Sequence, residues 1–146
     1  MVNIYIENKS GFEAPKYAHP GDSGMDVKAA IKEPITLGPL ERHIFPTGLK
    51  VIIPEGYEIQ VRTRSGMAAK RGLAVLNSPG TIDQNFRGEI GVILVNLSNE
   101  EQVVEPGERI AQLVVARVEK AEIAEIEKVP DTTNRGEGAY GSSGRF

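Results

Sequence analysis

Short runs of alternating apolar and polar residues recur along this chain, with closely spaced turn clusters between them. Val2, Ile4 and Ile6 set the period, and Tyr57 to Arg62, Gly91 to Asn96 and Arg109 to Val118 repeat it. Side chains two apart share one face of a strand, so each run reads as a strand. The interruptions are Pro20-Gly-Asp-Ser-Gly24, Pro54-Glu-Gly56, Asn77-Ser-Pro-Gly80, Leu97-Ser-Asn-Glu100 and Glu105-Pro-Gly107. Many short strands punctuated in this way predict an all-β sandwich, jelly roll or small barrel. The one helix the pattern allows is short, Ser65 to Lys70, with Ser65 able to cap it and Gly72 able to stop it.

A chain of 146 residues has the length of one domain and buries roughly 68–70% of its unfolded surface, enough for a core without covalent staples. After Val129 aliphatic side chains almost vanish, so the sequence divides into a β domain over residues 1–128 and a Gly-rich tail over 129–146 that packs no core of its own. That tail reads either as a frayed terminus or as a flexible flap that orders on binding, since an arginine and an aromatic stand among its glycines. Gly136-Glu-Gly-Ala-Tyr-Gly141 spells the dinucleotide-binding fingerprint, but no helix can follow it there to meet a pyrophosphate.

With no cysteine and only two histidines, His19 and His43, far apart, the chain lacks the donors of a transition-metal centre, while oxygen-bound Mg²⁺ stays open. A net charge of −3 argues against nucleic acid as a partner, because that binding neutralises many phosphates with a basic face. The amino terminus carries neither a basic nor an apolar leader segment, and the longest apolar runs, Val92 to Val95 among them, are too short for a bilayer. The expected location is therefore cytoplasmic, with no membrane contact.

Five short segments carry chemistry. The turn-rich hairpin Asn77 to Ile90 can present backbone donors and acceptors to a base, and it holds one carboxylate, Asp83, which is either a turn residue or a general base for an attacking water. Arg64, Ser65 and Gly66 bring a guanidinium, a hydroxyl and a free amide together at a strand end, either as an anion cradle or as a helix cap beside a surface arginine. Asp26 follows a glycine turn; it is a turn aspartate or the anchor of a hydrated Mg²⁺, an ion that takes few protein carboxylates. Gln112 lies inside an apolar strand, facing solvent or hydrogen-bonding phosphate oxygens. The tail from Arg135 to Gly144 is the fifth. Together they supply what a nucleoside triphosphate requires: a carboxylate for metal, cations, hydroxyls and a closing flap.

In this order and spacing the five segments closely resemble the trimeric deoxyuridine triphosphate nucleotidohydrolases, or dUTPases, from about Ala18 to Gly144. The resemblance implies a jelly-roll-like distorted β-barrel, a homotrimer with shared sites, and Mg²⁺-dependent hydrolysis of dUTP to dUMP and pyrophosphate. That reaction would clear dUTP and supply dUMP for thymidylate synthesis. It implies that Asp83 activates the water attacking the α-phosphorus, and that Asp26 holds the metal-bound triphosphate through water. Arg64, Ser65, Gly66 and Gln112 would contact phosphates. Asn77 and the backbone of Gly80, Thr81, Ile82 and Gly91 would read uracil, with Phe86 against the deoxyribose. Arg135 would reach the γ-phosphate, Tyr140 would cover uracil, and Gly141 and Ser142 would close over the phosphates of a neighbouring subunit's site.

Three positions depart from the family pattern: Phe86 stands where tyrosine is usual, Tyr140 where phenylalanine is usual and Ala139 where glycine is usual. Phe86 keeps the ring and Tyr140 can still stack, whereas Ala139 weakens closure if the closed flap needs φ > 0 there. Two other readings share the fold or the pocket. A dCTP deaminase would need a glutamate where Ile93 stands, and a non-catalytic nucleotide sensor would not need Asp83.

Overall fold

In the computed structural model, which describes residues 2–144, the chain forms eleven strands and one helix. The strands are β1 Tyr5–Asn8, β2 Met25–Lys28, β3 Ile35–Leu37, β4 Arg42–Pro46, β5 Leu49–Ile52, β6 Tyr57–Arg62, β7 Leu73–Val75, β8 Gly80–Ile82, β9 Gly91–Asn96, β10 Gln102–Val104 and β11 Arg109–Arg117; α1 is Ser65–Arg71. They pair antiparallel in four small sheets, ordered β1-β5, β3-β10, β2-β11-β6-β8 and β4-β9-β7. The architecture is the expected all-β, jelly-roll-like one.

The predicted strands at Tyr57–Arg62 and Gly91–Asn96 are β6 and β9 residue for residue. The first strand starts later than the alternation suggested, at Tyr5, with Ile4 and Ile6 packed against the core. Inward positions of the sheets meet in one cluster, in which Phe45, Ile59, Leu73, Ile90, Leu94, Ile110 and Leu113 are fully buried. Burial of such side chains, each contributing about 1.5–3 kcal/mol, gives a domain of this size its core.

One irregularity decides the site. The register of β11 against β2 shifts between Arg109 and Ala111, so that Arg109 opposes Lys28 and Ala111 opposes Val27, one residue on. This bulge puts the consecutive Ile110 and Ala111 both inside, at 0% exposure. Strict alternation from Ile110 would have sent Gln112 inward; the extra residue flips it to the outer face beside Asp26.

The helix corrects one expectation. Arg64, extended at φ −79° and ψ 130°, occupies the N-cap, and no side chain caps the helix; Ser65 is its first residue. Gly72 stops it as predicted, in the left-handed region at φ 65°, where its N–H donates to the Ala68 carbonyl. A β-carbon at Gly72 would also press on the Ser98 backbone at 3.0 Å.

Beyond β11 the chain from Glu119 to Gly144 is exposed throughout and contains only bends and turns. Arg145 and Phe146, the last two residues of the expected flap, and Met1 lie outside the described residues. No helix among the described residues is long and apolar enough to cross a membrane.

Candidate active site

The four-stranded sheet gathers the phosphate-side residues. Asp26 on β2 and Arg62 on β6 both oppose Gln112 of the central β11, so three polar residues stand in one row across the sheet. Arg64 follows two residues after Arg62 and turns back onto Asp26, donating from Nε to Oδ1 at 2.8 Å and from Nη2 to Oδ2 at 3.2 Å. This is a two-pronged guanidinium–carboxylate contact with both side chains about one-third exposed.

Asp26 has a second cation, Arg109, whose Nη1 lies 3.5 Å from Oδ2. The Arg109 carbonyl in turn accepts a hydrogen bond from Arg64 Nη1 at 3.3 Å. Gln112 donates from Nε2 to the Thr63 carbonyl at 3.0 Å, which directs its amide to the mouth of the helix. Gln112, Asp26, Lys16, Asp22, Ser23 and Gly24 line a surface cavity of about 310 Å³.

The expected cradle of Arg64, Ser65 and Gly66 is therefore present in sequence order but engaged: the guanidinium faces Asp26, and Ser65 and Gly66 stand exposed at the start of a seven-residue helix. For a metal, the donor chemistry is that of a hard-oxygen site: Asp26, with the Asp22 carboxylate on the same cavity accepting from the His19 N–H. No group of three or more His, Cys, Asp or Glu that could hold an ion occurs among the described residues. Such a site suits a hydrated Mg²⁺ carried on phosphates rather than an all-protein cage.

The base-side hairpin is built on β8, which pairs Gly80, Thr81 and Ile82 with Val61, Gln60 and Ile59 of β6. Ile82 is buried with the core, which leaves its side chain out of reach of any ligand, and Thr81 points outward. A β-carbon at Gly80 would lie 3.2 Å from Val61 Cβ and 3.3 Å from Asn77 Nδ2; glycine lets the exposed Asn77 fold back over the strand. Asp83 follows the strand, its carbonyl accepting from the Phe86 N–H at 3.1 Å, and its side chain is exposed. Gly91, which opens β9, is 2.9 Å from Ile44 Cγ2 at the position of a β-carbon, so packing against β4 already accounts for glycine there.

These groups are not all brought into one cavity. Asp83 borders a separate hollow of about 120 Å³ with Tyr57, Glu58 and Lys120. The tail residues turn on themselves: Arg135 Nε donates to the Gly138 carbonyl at 2.8 Å, the Ser142 N–H to the Ala139 carbonyl at 2.7 Å, and Tyr140 is fully exposed. Gly136 and Gly141 have φ of 52° and 89°, whereas Ala139 stays outside the left-handed region.

The sequence reading missed Arg109 as a partner of Asp26. The one available signal was a basic residue three positions before Gln112 on the same strand; its contact with Asp26 depends on the bulge, which alternation does not announce.

Comparison with known proteins follows the same segments. A family model described as dUTPase matches residues 10–144. A deoxyuridine 5'-triphosphate nucleotidohydrolase of Fusobacterium nucleatum is 54% identical over 144 residues, 99% of this chain and 98% of that protein. One of Chlamydia trachomatis is 51% identical over 143 residues, 98% of this chain and 99% of that protein. Among solved structures, a Staphylococcus bacteriophage 80alpha dUTPase with dUPNHPP superposes at a TM-score of 0.81 and 27% identity, covering 97% of this chain and 98% of that one.

Proposed function

The chain belongs to the dUTPase family, and from that premise we propose that it hydrolyses dUTP to dUMP and pyrophosphate, as a cytoplasmic homotrimer with sites shared between subunits. The observation that carries the reading is that the family match, over residues 10–144, includes every chemistry-bearing segment from Asp26 to Ser142.

In this reading water attacks the α-phosphorus, Asp83 takes its proton, and the bond to the bridging oxygen breaks to release pyrophosphate. An exposed carboxylate whose backbone is tied into a turn by Phe86 suits that task, since it meets solvent in a fixed place. Arg64, Ser65, Gly66 and Gln112 hold phosphate oxygens, which requires Arg64 to leave Asp26. Mg²⁺ carried on the triphosphate would neutralise phosphate charge, and Asp26 would hold it through water.

Asn77 and the backbone of Gly80, Thr81, Ile82 and Gly91 read uracil, and Phe86 excludes a 2′-hydroxyl by filling its place. Rejection of cytosine and thymine then rests on unpaired polar groups and steric exclusion, which discriminate far better than a loose apolar pocket. Residues 129–146 form a flap over a neighbouring site, with Arg135 on the γ-phosphate, Tyr140 over uracil and Gly141 and Ser142 over the phosphates.

The test is pyrophosphate release from dUTP, dCTP, dTTP and UTP with Mg²⁺, run beside Asp83→Asn, with ammonia followed in the dCTP reaction. Release confined to dUTP and lowered by about 10²- to 10⁴-fold in the variant is expected. Ammonia from dCTP would instead indicate a deaminase, although Ile93 pairs with Ile44 across β4 and β9 and offers no carboxylate there. Binding of dUTP without turnover would indicate a sensor.

A further inference from the structure

Helix α1 has one buried residue, Met67. Seven residues with a single apolar anchor are not fixed by packing, and so short a helix has little stability of its own. Besides Met67 and its junctions with β6 and β7, polar contacts at its two ends hold it. At the start, Arg64 grips Asp26 and the Arg109 carbonyl. At the finish, Arg71 donates from Nε to Gln102 Oε1 at 3.0 Å, from Nη2 to the Val103 carbonyl, and from Nη1 to Glu108 Oε1.

Two arginines, one at the N-cap and one at the last residue of the helix, thus hold the consecutive residues Glu108 and Arg109. Glu108 is itself immobilised. Its Oε2 accepts from the Glu105 N–H at 3.0 Å, its N–H donates to the Glu105 carbonyl at 3.1 Å, and its carbonyl accepts from the Ala29 N–H at 2.9 Å. Arg71 and Glu108 are both less than one-third exposed.

We propose that Arg71 is a positioning residue of the phosphate side of the site: through Glu108 it fixes the backbone of Arg64, Ser65 and Gly66 at the helix start beside Gln112. The inference rests on the assignment of those residues to phosphate. Its force comes from an asymmetry between the two grips. The Arg64 grip is given up when that guanidinium turns to a phosphate, and no side chain caps the helix to replace it. The Arg71 grip is on Gln102, Val103 and Glu108, none of which lines the cavity at Asp26 and Gln112, so it persists and the helix start stays in place while its own arginine moves.

The experiment compares the intact chain with Arg71→Met, Arg71→Lys and Glu108→Gln, measuring thermal unfolding, kcat and KM for dUTP, and affinity for both dUpNHpp and the phosphate-free deoxyuridine. In Arg71→Met a roughly tenfold weaker affinity for dUpNHpp and a similar or larger fall in kcat/KM are expected, because small misplacement of oriented groups is costly. Deoxyuridine affinity is expected to stay unchanged, and Arg71→Lys to recover part of the loss. Glu108→Gln, which keeps the side chain's size, is expected to show the same selective loss at smaller amplitude and guards against a failure of Arg71→Met to fold. Equal losses for both ligands, or no loss for dUpNHpp in either variant, overturns the positioning role. An intact chain that binds dUpNHpp no better than deoxyuridine overturns the phosphate assignment itself, and the inference with it.

Discussion

Gln112 Oε1 fills the space that a side chain at Gly24 would need: a β-carbon there would lie 2.3 Å from it. The turn before β2 thus acts as a wall for the Gln112 amide, and the Thr63 carbonyl holds the other side at 3.0 Å. Gly24→Ala is expected to swing the amide away and break that bond. Because the displaced atom ends a flexible side chain, the stability loss should stay under about 1 kcal/mol. Affinity for dUpNHpp should fall by about threefold to tenfold, the worth of one hydrogen bond. Chemical denaturation and ligand titration check both, and unchanged affinity would tell against Gln112 as a phosphate contact.

Phe86 leans over Gly88, whose added β-carbon would meet the ring at 2.7 Å. Gly88→Ala should push the ring aside and open room for a 2′-hydroxyl. The expected outcome is a lower ratio of kcat/KM for dUTP over UTP, by roughly tenfold, the scale of one misfitted group. Parallel kinetics on the two substrates give the answer; an unaltered ratio would remove Phe86 from sugar selection.

Leu40 is the one residue other than glycine with positive φ among the described residues, at 64°, and its side chain is 73% exposed. The left-handed region costs an ordinary L-residue about 1–2 kcal/mol, while glycine costs roughly 0.5–1 kcal/mol in extra unfolded freedom. Leu40→Gly should therefore raise stability by about 0.5 kcal/mol, read from the denaturation midpoint. A clear loss would mean that the leucine side chain has a packing role.

Every residue from Glu119 to Gly144 is exposed. Deleting residues 130–146 is expected to leave the unfolding temperature within a few degrees, about the shift of 1 kcal/mol or less. The same deletion should lower kcat/KM for dUTP by about 10²-fold or more, through loss of closure over the substrate. Full activity in the shortened chain would reduce the tail to a spacer.

Much of this fold is readable from residue order because local and global preferences agree. Tyr57–Arg62 and Gly91–Asn96 alternate, and their inward residues are the core; Gly72 ends the helix because only glycine enters that backbone region cheaply. The candidate residues stand out by type and local setting, and the structure brings Asp26, Arg64 and Gln112 together while Asp83 lies apart. What residue order conceals is long-range pairing. The contacts of Asp26 with Arg109 and of Arg71 with Glu108 follow from a bulge and from a turn packed against a helix end, neither of which leaves a periodic trace. Ser65 was a reasonable cap by type, yet the preceding arginine takes that position because its side chain has a carboxylate to reach.

The contact between Asp26 and Arg64 bears on how ionic strength acts on this protein. Without ligand, Arg64 and Asp26 neutralise each other, so this pair offers an incoming triphosphate a muted field. Capture is then an exchange of one ion contact for another rather than a simple addition. Added salt weakens the contact that is lost as well as the one that is gained. The dependence of triphosphate affinity on salt concentration should accordingly be shallower than the number of cations facing the phosphates would suggest.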